Sequence, residues 1–207
     1  MFISFEGIDG AGKSTAFDRL KQELLLTPWA KNLVFTREPG GTKISEEIRD
    51  ILINEQMDPW TEALLYAAAR RQNVVEKIVP SLKSGKVVLT DRYVDSSLAY
   101  QGGGRNLGVE NIAKLNQSAI QGVLPDRVVY FRIDPEISRK RMSKRMQDAD
   151  RFEKEQGIFF KTIAAVFENL IAKDPARFII IEANKSPEEV YEAVKKAVFP
   201  LIEEAMK

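Results

Sequence analysis

A glycine-rich segment near the N-terminus has the residue types and spacing of a phosphate-binding loop (P-loop). It matches the pattern G-x-x-x-x-G-K-[ST] at every fixed position, after a short apolar run and before a segment of helical spacing. Its residues, with the one that follows, are Gly7, Ile8, Asp9, Gly10, Ala11, Gly12, Lys13, Ser14 and Thr15. Glycines let successive backbone N–H groups face one phosphate, Lys13 can reach the β- and γ-phosphates, and the Ser14 hydroxyl can bind Mg²⁺. The segment predicts an ATP site; a glycine turn that matches by chance is the alternative.

A carboxylate at the end of a later apolar run supports this prediction. The run at 87–91 is of the buried-strand type and ends in Asp91. Beside a P-loop, an acidic residue at the carboxyl end of a parallel strand faces the Mg²⁺ that accompanies the nucleotide. The alternative is an aspartate that caps the next helix. The P-loop favours the metal-side role, so Ser14 and Asp91 are the predicted metal ligands.

The absence of two residue types restricts the chemistry. The sequence has no histidine and no cysteine, which excludes His-based proton transfer, His-ligated zinc, disulfides and thiolate nucleophiles. A phosphate acceptor suits the remaining side chains, because its second pKa is about 6 and it needs no base. It does need cations around it and a cover that excludes water.

Arginines and lysines in two groups could supply these cations. Four lie at or near the expected carboxyl ends of strands, or on helices packed above them: Arg37, Arg49, Arg70 and Arg92. A second group is concentrated in one basic stretch: Arg139, Lys140, Arg141, Lys144, Arg145 and Arg151. The alternatives are solvated surface arginines and, for the basic stretch, a solvated helix face or an RNA-binding patch. No aromatic residues are interleaved there, which argues against RNA binding.

The elements that would position these residues alternate along the chain. Strands are predicted at 2–5, 33–36, 87–90, 127–133 and 178–181, and helices at 15–26, 45–53, 62–82 and 187–206. This alternation predicts an α/β fold with a parallel sheet and helices on both faces. The glycines at 102–104 predict a loop, and segment 138–155 predicts an exposed insertion. The 207 residues fit one domain, 1–207, with a lid at about 139–153.

Composition and termini indicate a cytoplasmic protein that acts on small molecules. The 31 Lys and Arg residues against 30 Asp and Glu give a formal net charge of +1, so no general attraction to nucleic acid or membrane is expected. The N-terminal sequence MFISFEG has neither a basic start nor the apolar run of a signal peptide. No stretch approaches the roughly 18 apolar residues of a membrane helix.

The sequence resembles the bacterial thymidylate kinases over nearly its whole length. The likeness is carried by the P-loop block at 5–15 and by blocks at 36–41, 91–102 and 150–153, together with 61–71. The resemblance implies phosphorylation of thymidine 5′-monophosphate (dTMP) to the diphosphate by ATP with Mg²⁺, which supplies dTTP for DNA synthesis. It also implies the P-loop nucleoside-monophosphate-kinase fold, with five parallel strands flanked by helices, and a homodimer.

The same resemblance implies roles for individual residues. Tyr66 corresponds to an aromatic ring, usually Phe, that stacks on thymine. Residues expected at the base edge are Arg70, Ser97 and Gln101. Those expected at the acceptor phosphate are Arg37, Arg49 and Arg92. Asp9 is expected near the sugar 3′-hydroxyl, and Tyr100 beneath the deoxyribose.

The resemblance also indicates where the catalytic cation comes from. Some members have an arginine directly after the P-loop aspartate, where this chain has Gly10. Members without it draw the cation from the lid, which makes Arg145 and Arg151 the first candidates. Arg141, which is expected to bind ATP, is the next candidate. The expected catalytic residues are therefore Lys13, Asp9, Arg92, Arg145 and Arg151.

Two alternatives remain at this stage. One is a kinase of another nucleoside or deoxynucleoside monophosphate, or of a deoxynucleoside. A free deoxynucleoside would leave Arg92 and Arg49 without a charge to bind and would call for a base. The other is a switch protein in which NTP binding gates a partner, but the basic lid and the base-recognition block favour a kinase.

Overall fold

The computed structural model describes residues 1–143 and 152–207. In these ranges five parallel strands form one sheet in the order β2-β3-β1-β4-β5. The strands are β1 (Phe2–Gly7), β2 (Leu33–Arg37), β3 (Val87–Asp91), β4 (Arg127–Arg132) and β5 (Phe178–Glu182). The predicted five-stranded parallel sheet is confirmed, and each strand ends within two residues of its predicted bounds. The P-loop thus follows the central strand, β1.

Nine α-helices lie in the described residues. They are α1 (Lys13–Leu24), α2 (Lys43–Asn54), α3 (Pro59–Asn73), α4 (Val79–Lys83), α5 (Val94–Ser97), α6 (Val109–Ile120), α7 (Pro135–Ser143), α8 (Phe152–Lys173) and α9 (Pro187–Ala205). Two π-helical segments, Val74–Ile78 and Leu98–Gly104, continue α3 and α5. Short 3₁₀ turns at Ala30–Asn32 and Pro175–Arg177 lead into β2 and β5. The helix predicted at 62–82 is therefore α3, a π-helical segment and α4 in succession.

Apolar side chains cover both faces of the sheet. Ile3 and Phe5 of β1 pack in one cluster with Leu20 of α1 and Val198 of α9. Phe2, on the same strand, packs in a second cluster that contains Val74 and Ile78. Because alternate residues of a strand point to opposite faces, the two clusters lie on opposite sides of the sheet. This explains why the strand sequences are almost continuously apolar.

The prediction of a loop at glycines 102–104 is wrong. These residues belong to the π-helical segment Leu98–Gly104, which packs against α8. A Cβ atom at Gly103 would meet Val166, and one at Gly104 would meet the ring of Phe159. The glycines are there because two helices approach closely, and the sequence pattern of a glycine-rich turn does not distinguish that cause.

The segment predicted as an exposed insertion, 138–155, is helical at both of its ends. Residue 138 does not fit the prediction: Ser138 on α7 is fully buried. Residues 144–151 lie outside the described ranges, so α7 and α8 define the flanks of the predicted lid. None of the described helices is both long and apolar enough to cross a lipid bilayer.

Candidate active site

The P-loop connects the end of β1 to the first turn of α1. Gly12 is the N-cap residue of α1 and has φ of 81°, a conformation that favours glycine. No side chain caps this helix, and no acidic residue lies in its first turn. The first N–H groups of α1 and the positive end of its dipole are thus available to an anion.

Helix α7 closes one side of the P-loop. The Ser138 hydroxyl donates to the backbone oxygen of Asp9. A Cβ atom at Gly10 would lie 2.8 Å from the backbone oxygen of Ser138 and 3.2 Å from the Met142 side chain, at a φ of 79°. Position 10 therefore has no room for a side chain while α7 packs in this way. The guanidinium of Arg141, also on α7, donates to the backbone oxygen atoms of Gly10 (3.4 Å), Ala183 (3.1 Å) and Lys185 (3.1 Å).

Two cavities of similar size meet at this loop. The first, of about 720 Å³, is lined by the P-loop and by Arg19, Arg141, Met142, Lys185, Pro187, Val190 and Tyr191. The second, of about 710 Å³, is lined by residues that include Arg37, Glu38, Glu46, Arg49, Lys77 and Asp91. Four residues line both cavities: Asp9, Lys13, Ser14 and Arg92. These shared residues form the boundary across which a group could pass from one cavity to the other.

Lys13 and Ser14 both contact the carboxylate at the end of β3. Lys13 forms an ion pair with Asp91, and the Ser14 hydroxyl donates to the other Asp91 oxygen at 2.8 Å. Burial and the nearby Arg92 lower the pKa of Lys13, and Asp91 opposes that change. Burial acts to raise the pKa of Asp91, but Lys13, Arg92 and the Ser14 hydrogen bond outweigh it, so the pKa falls below its usual value.

These oxygen atoms fit a magnesium ion that is shared with a nucleotide. A hydroxyl and a carboxylate are the hard oxygen ligands that Mg²⁺ prefers, and Mg²⁺ in kinase sites takes one or two protein ligands plus substrate phosphates. The described residues contain no group of three or more Asp, Glu, His or Cys that could hold a metal without such phosphates. The donor set thus suits a metal that enters with the nucleotide.

Arg92 is fixed in a left-handed turn directly after β3, with φ of 69°. Its guanidinium donates to Asp9 Oδ1 (2.6 Å), the Gly7 backbone oxygen (3.1 Å), Ser96 Oγ (2.9 Å) and the Tyr100 hydroxyl (3.1 Å). The Tyr100 hydroxyl donates in turn to Asp9 Oδ2 at 3.0 Å. Burial would lower the pKa of Arg92, but Tyr100, Asp9 and Asp91 raise it, so the cation is maintained at this boundary.

A buried arginine connects α3 to the segments around α5 and α6. Arg70 is 2% exposed and forms an ion pair with Glu38 at 2.6 Å. It also donates to Ser97 Oγ (3.0 Å), Asn116 Oδ1 (2.5 Å) and the Tyr93 backbone oxygen (3.1 Å). Burial raises the pKa of Glu38, although Arg70 and Asn73 oppose this change. Arg70 and Ser97, two of the residues predicted at the base edge, are therefore in direct contact.

The remaining predicted side chains lie around these two arginines. Tyr66 is half-buried on α3, and burial together with the nearby Glu62 raises its pKa. Gln101 donates to Glu62 at 2.9 Å. Arg37 pairs with Glu46 at 2.7 Å, and Arg49 donates to the Pro39 backbone oxygen at 3.1 Å. Arg145 and Arg151 lie outside the described residues.

Sequence reasoning assigned no role to several buried polar partners of this site: Glu6, Glu38, Ser96 and Asn116. A usable signal existed for Glu6, because it is the one charged residue of its strand. A buried acid requires a partner, which the sequence alone does not identify. Asn116 carries no such signal, since polar residues are common on helices.

The chain was compared with families and with individual known proteins. The family model described as thymidylate kinase matches residues 5–194. A thymidylate kinase of Mesoplasma florum is 44% identical over 206 residues, with 98% of this chain and 97% of that protein covered. One from Geobacillus sp. (strain WCH70) is 46% identical, with the same coverage.

A solved structure agrees with these matches. The crystal structure of a thymidylate kinase from Ehrlichia chaffeensis superposes on this chain with a TM-score of 0.77 at 33% identity. The match covers 96% of this chain and 97% of that one.

Proposed function

This chain belongs to the thymidylate kinase family and phosphorylates dTMP with ATP, and we propose that the transfer takes place where its two cavities meet. The observation that carries this proposal is the set of four residues that line both cavities, Asp9, Lys13, Ser14 and Arg92. Phosphoryl transfer requires donor and acceptor phosphates in line, with cations at the charge that develops between them. Lys13 and Arg92 are the cations among these four residues.

ATP occupies the first cavity in this proposal. The P-loop amides and the uncapped start of α1 bind its phosphates, and Arg141 lies beside the nucleotide. Lys13 stabilises the charge on the transferred group. Ser14 and Asp91 would hold Mg²⁺ against the phosphates, where the ion neutralises charge.

The phosphate of the acceptor occupies the second cavity, which is lined by Arg92, Arg49 and Arg37. The base lies beyond the lining of that cavity and is bound by four side chains: Tyr66, Arg70, Ser97 and Gln101. Asp9 and Tyr100 contact the sugar. Asp9 and Arg92 are bonded to each other and to Tyr100, so sugar and phosphate contacts are held in one rigid group.

We expect dTMP to be the best acceptor in a panel of nucleoside monophosphates assayed with ATP and Mg²⁺ by ADP release. The reason is the family to which the chain belongs, together with a base site in which four protein partners hold Arg70 in one orientation. Chelation of Mg²⁺ with EDTA should abolish turnover. Faster turnover of cytidylate or guanylate than of dTMP would contradict the assignment of the base site.

A homodimer is proposed from an apolar surface on α2, α3 and the π-helical segment after α3. Its side chains are roughly half exposed and lie at helical spacing: Ile44, Ile51, Trp60, Leu64 and Val75. Helices α2 and α3 pack together, so these exposed side chains lie on neighbouring elements. Exposed apolar patches mark protein–protein contacts, and a second copy is the proposed occupant, as the resemblance to thymidylate kinases implies.

Leu64→Glu should convert the dimer to a monomer of 23.4 kDa, because it places a charge among the apolar side chains that the partner would cover. Sedimentation equilibrium measures the mass directly. Leu26→Glu is the matched control, since Leu26 is 88% exposed and lies away from the patch, after α1; this variant should keep the dimer mass. If wild type itself sediments as a monomer, the proposed dimer is excluded.

Three further proposals follow from composition and resemblance. The chain is a single domain with a lid at about 139–153, of which the described helix α7 lines the ATP cavity. The protein acts in the cytoplasm. Its partners are ATP, dTMP and a second copy of the chain, without nucleic acid, because its near-zero net charge provides no general basic surface.

A further inference from the structure

Glu6 is a fully buried carboxylate in the middle of the active-site scaffold. It lies on β1, the central strand, at 0% exposure, one residue before the P-loop begins. Its Oε1 accepts the backbone N–H of Tyr93 at 2.7 Å, and its Oε2 is hydrogen-bonded to the Ser96 hydroxyl. It lines neither of the two cavities described above, so it does not contact either substrate there.

Both partners of Glu6 lead to Arg92. Ser96 Oγ accepts from the Arg92 guanidinium at 2.9 Å, so Glu6 is linked to that side chain through one hydroxyl. Tyr93 directly follows Arg92 in the chain, so its backbone N–H belongs to the peptide group that ends the left-handed turn. Without an acceptor this buried N–H would be unsatisfied. Glu6 therefore restrains both the backbone and the side chain of Arg92.

The left-handed turn makes such a restraint necessary. A non-glycine residue with φ of 69° is disfavoured relative to the right-handed region and persists only when its surroundings hold it there. Two hydrogen bonds fix the peptide group that follows Arg92. The Thr90 hydroxyl donates to its carbonyl oxygen at 2.9 Å, and Glu6 accepts from its N–H, which belongs to Tyr93.

The charges around Glu6 are consistent with a fixed structural cluster. Its charged neighbours are Asp95, Arg92 and Lys13. Asp95 is itself neutralised by a bidentate pair with Arg177, at 2.9 and 2.8 Å. Burial and Asp95 raise the pKa of Glu6 to about 8, against Ser96, Arg92 and Lys13. The Oε1 contact to Tyr93 N–H needs only an acceptor, so it holds in either protonation state of Glu6.

We propose that Glu6 is a positioning residue that fixes Arg92 at the boundary between the two cavities. It acts through Tyr93 N–H and Ser96 Oγ, and not by contact with substrate. This inference rests on the proposed role of Arg92 at the acceptor phosphate. A displacement of about 1 Å in a group that binds the reacting phosphate can cost about 100-fold in rate.

The test is a double-mutant cycle with Arg92. Glu6→Leu keeps the side-chain size but removes both acceptors, and should lower kcat/KM for dTMP by roughly 100-fold while KM for ATP changes less than about threefold. Ser96→Ala removes the link to the guanidinium and should cause a smaller loss in the same direction. In an Arg92→Ala background, each substitution should have little further effect, because its target is already gone.

Controls separate this role from a general loss of structure. Ser4→Ala changes a residue two positions away on β1 that is equally buried and whose Oγ has no hydrogen-bond partner among the described residues; its activity should match wild type. Glu6→Gln keeps an acceptor for Tyr93 N–H and should recover most of the activity lost in Glu6→Leu. Circular dichroism reports whether each variant folds, and Ser96→Ala carries the test if Glu6→Leu does not.

The outcomes are distinguishable. Equal losses from Glu6→Leu or Ser96→Ala in the wild-type and Arg92→Ala backgrounds would overturn the positioning role and leave Glu6 as a folding residue. Near-wild-type activity of a folded Arg92→Ala variant would refute the proposed role of Arg92 itself, and this inference with it. An impaired Arg92→Ala variant beside fully active Glu6→Leu and Ser96→Ala variants would overturn the inference about Glu6 alone.

Discussion

Replacing Lys13 with alanine is expected to lower kcat by about 10³-fold or more while leaving the fold intact. Lys13 is 6% exposed and lies at the boundary of the two cavities. A charge in such a water-poor site interacts strongly with the negative charge that develops during transfer. Burial lowers the pKa of Lys13, but the ion pair with Asp91 opposes that shift and favours the charged form.

The measurement is steady-state ADP release at saturating ATP and dTMP, beside circular dichroism of the same preparation. Lys31→Ala is the matched control, because Lys31 is exposed in the 3₁₀ turn before β2, and it should keep wild-type kcat. A folded Lys13→Ala protein with near-normal kcat would refute the proposed mechanism. A loss confined to KM for ATP would mean that Lys13 binds ATP without stabilising the transition state.

Local patterns explain why the sheet and the P-loop could be predicted from the sequence. The run at 2–5 is apolar at almost every position and is followed by glycines at fixed spacing, so strand, loop and helix are specified by adjacent residues. The position of Asp91 beside Lys13 follows from topology, because β3 pairs directly with β1 in a parallel sheet. Residues at the carboxyl ends of neighbouring parallel strands meet.

Contacts between distant segments explain what the sequence left undetermined. Arg70 could be assigned to the base edge by resemblance, but its partners Glu38 and Asn116 are 32 and 46 residues away. Ser96 contacts Glu6 across 90 residues. Such pairs depend on how helices pack over the sheet, and no periodicity encodes them. Gly103 and Gly104 were misassigned for the same reason, since the helix that demands them, α8, lies some 50 residues later in the sequence.

The second large effect is expected from the lid. At least one of the variants Arg145→Ala and Arg151→Ala should lower kcat by about 10³-fold, with a smaller change in KM for dTMP. Two observations support this expectation. Position 10 has no room for an arginine, because α7 packs against Gly10. The guanidinium of Arg141 is already bonded to three backbone oxygen atoms, which favours a role in holding the loops around ATP.

Both variants should be compared with Arg127→Ala. Arg127 is exposed at the amino end of β4, whereas the P-loop follows the carboxyl end of the neighbouring parallel strand β1. That control should keep wild-type kcat. Single-turnover measurements separate the two explanations for a slow variant: a catalytic arginine slows the chemical step, whereas an arginine that only closes the lid weakens substrate binding. If both lid variants stay within a few-fold of wild type, the catalytic cation is Arg141 or an arginine outside the lid. Arg141→Ala separates these two, because it should show the large loss only if Arg141 is the cation.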